Sequence, residues 1–218
     1  MDLAENIARV RRVIDEKAPG RAKDITMVAV TKTRPPEEIN LLLGCGVADI
    51  GENRVQEWLS KKEDIASGFR LHHIGQLQTN KVKYLIGHVH MIQSVDRLSL
   101  LSEISRLSPG GVNILIQVNT AREAQKAGVL EEDLPLLFER AVTAKGVKLR
   151  GFMCIAPLDG GRDAARAPFE KAKLLFDEYA QKMPVPGFDT LSMGMSGDYD
   201  IALECGANMI RVGSTLFI

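Results

Sequence analysis

Lys32 is the residue on which a chemical reading of this 218-residue sequence turns. It follows a short β-branched run, ITMVAV over residues 25–30. A partly buried lysine at the end of such a run could attack an aldehyde as the neutral amine. A lysine at a strand end can equally run its alkyl stem out to water. Two later segments change what Lys32 could be doing. Gly194-Met195-Ser196-Gly197 and Gly213-Ser214-Thr215 combine small residues, hydroxyls and free backbone amides, the materials of a phosphate cradle. Either segment alone also reads as ordinary Gly/Ser turn chemistry. Arg211 could pair with a phosphate, donate to a heterocyclic ring, or form a rim salt bridge.

Other reactive residue types fall out of consideration on spacing. His72 and His73 are adjacent in a strand-like run, so they point to opposite faces and cannot both ligate one metal. His88 and His90 share a face, but no neighbouring acid or cysteine completes a ligand set. Cys45, Cys154 and Cys205 are odd in number, widely spaced and in no C-x-x-C pair, against a disulfide framework or zinc site and for a reducing compartment. The dinucleotide G-x-G-x-x-G pattern and the Walker phosphate loop are both missing. Trp58 and the phenylalanines sit at core-like spacing.

These candidates require a scaffold that gathers strand ends. Leu3, Ile7, Val10 and Ile14 recur at helical spacing and predict an amphipathic opening helix that ends near Pro19-Gly20. After the strand over 25–30, Pro35-Pro36-Glu37-Glu38 opens a second helix and Gly44 and Gly46 close it. Further strands are expected over 48–50, 71–74, 89–93, 113–118, 148–154, 190–193 and 209–212. Helical patterns over 97–107, 131–144, 165–183 and 199–205 lie between them. Eight strands alternating with helices predict a single (β/α)8 barrel with an extra N-terminal helix, one domain over residues 1–218. The Gly- and charge-rich stretch 159–166 reads as a surface loop of that domain. In a barrel the strand ends form the working face, which puts Lys32, Asn53, Asn119, Met153-Cys154, the 194–197 segment and the 211–215 segment at one rim.

Bulk composition narrows the partners. Apolar residues make up 45% and charged residues 26%, enough for a sizeable core. Lys+Arg and Asp+Glu are 28 each, so no whole-molecule field draws in nucleic acid or an anionic membrane, and any anion site must be local. The N-terminus alternates charged and apolar residues, without the continuous apolar stretch of a leader or membrane span, which predicts a cytoplasmic protein.

Taken in order, several segments resemble the YggS/PROSC family of pyridoxal phosphate homeostasis proteins. They are Val28-Ala29-Val30-Thr31-Lys32, the run GENRVQE from Gly51, His72-x-Ile74-Gly75-x-Leu77-Gln78-Thr79-Asn80-Lys81 and Ser94-Val95-Asp96. Val118-Asn119-x-x-x-Glu123-x-x-Lys126-x-Gly128, Arg150-Gly151-x-Met153-Cys154-Ile155, the run LSMGMSGDY from Leu191 and the run IRVGSTLF from Ile210 complete the series. The resemblance implies a fold type III barrel like the N-terminal domain of alanine racemase, with pyridoxal 5′-phosphate (PLP) as a Schiff base on Lys32. It further implies a phosphate held by Ser196 and the Gly213-Ser214 backbone, Asn53 and Met193 lining the pocket, and Arg211 facing the pyridine nitrogen. A guanidinium that stays protonated cannot give that ring a proton, so the cofactor would be a weak electron sink.

The resemblance to alanine racemase stops short of its second β domain, which supplies a tyrosine acid/base, and efficient racemisation needs two bases. Lys32 is the one obvious amine, and Tyr199 reads as a helix-packing tyrosine. The expected function is therefore a largely non-catalytic PLP carrier or regulator that passes cofactor to apo-enzymes, acting as a monomer. The alternatives are a low-activity amino-acid racemase and a cofactor-free Schiff-base aldolase. His73 stands where the family usually has phenylalanine, Gln76 where proline or histidine is common, and Ile218 where glycine is common.

Overall fold

The computed structural model describes residues 2–123, 127–157 and 161–218. Eight parallel strands follow one another around a closed barrel: β1 (Thr26–Val30), β2 (Asp49–Glu52), β3 (Arg70–His73), β4 (Val89–Val95), β5 (Val112–Gln117), β6 (Val147–Met153), β7 (Thr190–Met195) and β8 (Met209–Val212). β8 pairs back onto β1, Met209 against Thr26 through Val212 against Ala29, which closes the sheet. All eight expected strands are present, within a few residues of their predicted ends.

The helices are α1 (Leu3–Lys17), α2 (Pro36–Gly44), α3 (Val55–Lys61), α4 (Leu98–Leu107), α5 (Leu134–Thr143), α6 (Arg166–Lys182), α7 (Tyr199–Glu204) and α8 (Ser214–Phe217). The opening helix forms as its periodicity demands: Ile7, Val10 and Ile14 are buried, and Asp2 accepts a hydrogen bond from the Ala4 amide at 2.9 Å to cap the first turn. Between β2 and β3 lies α3, which the sequence reading did not single out because seven residues hold too little periodicity to show. The β3–β4 crossover is a 3-10 stretch, Thr79–Tyr84, in place of a full helix.

Strand alternation sorts the core into two parts. Val28, Met91, Leu115, Met153 and Met209 fill the inside of the barrel, while a much larger apolar layer lies between strands and helices. The strands are buried on both faces, which explains their near-continuous apolar runs. The expected surface loop over 159–166 begins outside the described residues, and its described end is a short 3-10 turn, Arg162–Ala165, running into α6. Lys126 of the Val118–Gly128 motif also lies outside them. Among the described residues no helix is long and apolar enough to cross a membrane.

Candidate functional site

A pocket of about 260 Å³ opens at the C-terminal mouth of the barrel, lined by Lys32, Asn53, Ser196, Arg211, Gly213 and Ser214, with Val30, Ile74, Ile155 and Met195 as its apolar surface. Six of the seven expected site residues thus meet in one place. Lys32 follows β1, the 213–215 segment follows its neighbour β8, and the 194–197 segment follows β7, one strand further round.

Lys32 itself is exposed, where the sequence suggested partial burial. The burial belongs to the residues that hold its loop. Thr31 is wholly buried, its hydroxyl donates to Glu52 Oε1 at 2.5 Å, and its carbonyl accepts from Lys61 Nζ at 2.9 Å. Lys61 Nζ also meets Glu52 Oε1 at 2.6 Å, an ion pair in which both side chains are almost fully buried. Burial pushes the Glu52 carboxyl up, opposed by hydrogen bonds from Lys61 and Thr31. On the other side of Lys32, the Thr33 amide donates to Glu57, and Thr33 takes a left-handed φ of 63°. Among the described residues no side chain ties down the Lys32 nitrogen, while the backbone on either side of it is clamped.

Asn53 is set by a close backbone approach. A Cβ on Gly75 would stand 2.2 Å from the Asn53 carbonyl oxygen, so the β3 rim can lie against the β2 rim only with glycine there. His73, the last residue of β3, alternates with inward-facing His72, so it points away from the barrel axis, and it is 1% exposed. Burial lowers its pKa to about 4, so the imidazole stays neutral in its buried slot.

Ser196 joins two elements. Its hydroxyl oxygen accepts from the Gly213 amide at 3.1 Å and the Thr215 amide at 3.3 Å, so two backbone donors converge on one oxygen beside the pocket. Met193 is a correction to the expected set. Its side chain is fully buried in the outer apolar layer, because Ser192 takes the inward position of β7 and alternation sends the next residue outward. Between Ser192 and Met195 the β7–β8 register shifts, with Gly194 at φ +91°, and that irregularity turns Met195 into the pocket instead.

Arg211 is 3% exposed, and its guanidinium donates to the Ser192 hydroxyl at 2.6 Å and the Cys154 carbonyl at 2.9 Å. Burial lowers its pKa, and no carboxylate among the described residues pairs with it. Cys154 supplies only its carbonyl: burial pushes its thiol up to about 12, which leaves no thiolate for nucleophilic work. Tyr199 packs into the outer apolar layer at the start of α7, as its helical position suggested. Asn119, expected at the same rim, donates to the Glu123 carbonyl and does not line the pocket.

The supports of Lys32, namely Glu52, Glu57 and Lys61, were not singled out as site residues from the sequence. Their pairing joins β2 to α3, a helix too short to show in the sequence.

Comparison with known proteins agrees with this architecture. The family model for the N-terminal domain of alanine racemase matches residues 2–218. A pyridoxal phosphate homeostasis protein from Aquifex aeolicus is 39% identical over 100% of this chain and 98% of its own length. Its counterpart in Pseudomonas aeruginosa is 37% identical over 99% and 94%. The structure of PipY from Synechococcus elongatus with PLP bound superposes with a TM-score of 0.88, at 31% identity and full coverage of both chains. Alanine racemase from Corynebacterium glutamicum shares the fold alone, with a TM-score of 0.69, 12% identity, and 98% of this chain against 60% of that one. With the family model and both relatives spanning essentially the whole chain, this protein belongs to the alanine racemase N-terminal domain family, in its pyridoxal phosphate homeostasis branch.

Proposed function

We propose that residues 1–218 form one PLP-binding barrel whose task is to hold and hand over the cofactor, with little or no catalysis of its own. One observation carries this reading: a free amine, converging backbone donors and a buried guanidinium line the same small pocket. The residues suit the cofactor group by group. Lys32 is the amine that would hold the cofactor through its aldehyde. Ser196, with the Gly213-Ser214 backbone, would hold the phosphate: all three line the pocket, and the Ser196 hydroxyl gathers the Gly213 and Thr215 amides beside it. Asn53 and Met195 would border the ring, and Arg211 would face its nitrogen.

PLP supplies an electron sink for amino-acid chemistry, and that sink is weak against a guanidinium, which accepts no proton and gives none up. The chain's own residues also offer poor support for a two-base reaction. Tyr199 is buried in the outer layer, and the Cys154 thiol is held protonated. The relatives' names fit a homeostatic role, in which apo-enzymes receive the cofactor. The sheet closes on itself, β8 against β1, and needs no partner to do so, which fits a monomer; the unpaired cysteines fit a reducing cytoplasm.

The decisive test is absorption of the purified protein with PLP before and after borohydride, followed by peptide mapping. A pyridoxyl adduct on Lys32, lost in Lys32→Ala, is expected. An adduct elsewhere would overturn the assignment. Exchange of the α-proton of amino acids with solvent deuterium at a catalytic rate, abolished by Lys32→Ala, would replace the carrier reading with a racemase.

A further inference from the structure

The inside of this barrel carries a line of polar side chains that the pocket alone does not explain. Arg211 donates to Ser192 Oγ at 2.6 Å, and Ser192 donates to Gln93 Oε1 at 2.7 Å. Gln93 Nε2 lies 3.0 Å from His72 Nδ1, and His72 Nε2 lies 2.9 Å from Asp49 Oδ1. All five side chains are buried, in an interior otherwise filled by methionine, leucine and valine. Polar groups there carry a heavy desolvation cost unless each finds its partner.

The direction of the line follows from donor and acceptor inventories. Arg211 can only donate, so Ser192 must accept from it and spend its own proton on Gln93 Oε1. That fixes the Gln93 amide with its nitrogen toward His72 Nδ1, and its second N–H meets Met209 Sδ at 3.1 Å. Nδ1 must then accept, the imidazole is the Nε2–H tautomer, and its proton goes to Asp49. Flipping the amide would leave the Ser192 proton without an acceptor. Asp49 closes the chain against Arg70, whose Nε and Nη2 reach the two carboxylate oxygens at 2.7 and 2.5 Å. Burial raises the Asp49 carboxyl, but the His72 and Arg70 hydrogen bonds prevail and hold it at about 2.

The two ends of the line open at opposite mouths of the barrel. Arg211 lines the cofactor pocket, while Asp49 and Arg70 line a cleft of about 690 Å³ at the N-terminal mouth. Arg211 has no carboxylate partner of its own among the described residues; its charge is answered by oriented dipoles that end on Asp49. We infer that Ser192, Gln93, His72 and Asp49 act as a one-way hydrogen-bond relay, positioning residues that hold Arg211 in place against the cofactor ring from the far end of the barrel. The inference rests on the reading of the pocket as a PLP site.

Two variants far from the pocket test it, Gln93→Met and Asp49→Asn, neither of which lines the cofactor site. With PLP trapped on Lys32 as reference, each is expected to shift the absorption band of the bound cofactor. Each should also speed its release roughly three- to tenfold, the range of coupling through one hydrogen-bond network. In an Arg211→Lys background the same substitutions should add nothing, because the guanidinium they position is gone. Asp49→Asn, at the solvent-facing end, keeps the test alive if Gln93→Met does not fold. A folded variant with the parent's band and release rate, or effects that multiply in the Arg211→Lys background, would overturn the relay while leaving the pocket intact. Absence of any Lys32 adduct in the parent would overturn both.

Discussion

On the β1–β3 side of the pocket the supports are buried charges, Lys61 against Glu52 with Thr31 and Glu57 around them; on the β7–β8 side they are neutral, a serine hydroxyl and two backbone amides. The contrast follows from what each wall has to hold. The first wall must fix the backbone of an exposed lysine whose side chain stays free to react, and a charge pair closed on itself does that without reaching the pocket. On the proposed function the second wall receives an anion, and neutral donors leave the charge to arrive with the ligand. Breaking the first wall should therefore cost folding stability, while breaking the second should cost affinity.

The largest effect is expected at Lys61. Lys61→Met leaves Glu52 buried without its cation and the Thr31 carbonyl without its donor, which should destabilise the fold by about 3–5 kcal/mol in chemical denaturation. The double variant Glu52→Gln with Lys61→Met should recover most of that loss. If it does not, the pair is not what holds the wall.

His73, on the outer face of the same wall, should make stability depend on pH. Its folded pKa is depressed to about 4, so between pH 4 and the ordinary value of 6.5 the unfolded chain binds a proton that the folded chain refuses. Stability is then complete above pH 6.5 and falls as pH drops through that window, by on the order of 3 kcal/mol at its lower edge. His73→Phe should flatten this part of the melting-temperature profile, and an unchanged slope would show that the acid sensitivity lies elsewhere.

These two walls were unequally legible in the sequence. The barrel was readable because continuous β-branched runs, helical periodicity and glycine stops all demand the same alternation. Lys32, Ser196, Arg211 and Gly213 were readable as strand-end residues of useful chemistry. Glu52 and Lys61 were not, because the pairing joins β2 to a seven-residue helix whose existence no pattern announced. Met193 was misplaced for a related reason. Strict alternation already sends it outward, and only the register shift at Gly194 reveals that Met195 takes the pocket position. The interior line from Arg211 to Asp49 was equally hidden, since its members are scattered over five strands and meet only when the sheet closes.

At Gly194 the neutral wall can be broken through its backbone. The residue sits at φ +91°, and an added Cβ would lie 2.6 Å from Ala202 Cβ and 2.8 Å from Tyr199 Cα. Gly194→Ala should cost about 2 kcal/mol from strain and displaced α7, and it should also move Met195 out of the pocket. A fully stable variant with parental PLP affinity would mean that the β7 irregularity does not shape the site.

Ser196→Ala is the smallest change and the most direct test of the neutral wall. Without ligand, the Ser196 oxygen satisfies the Gly213 and Thr215 amides, so its removal leaves two donors that water at the half-buried rim can partly serve, and the fold should lose only about 1 kcal/mol. If the rim holds the phosphate as proposed, the hydroxyl and the amides beside it would bear on it, so affinity measured by equilibrium dialysis should fall about tenfold, while pyridoxal without its phosphate should bind the variant and the parent alike. That difference separates a phosphate contact from a structural cap. If pyridoxal binding fell as far as PLP binding, Ser196 would be holding the two rims together and not the ligand, and the neutral wall would be, like the charged one, a device for stability.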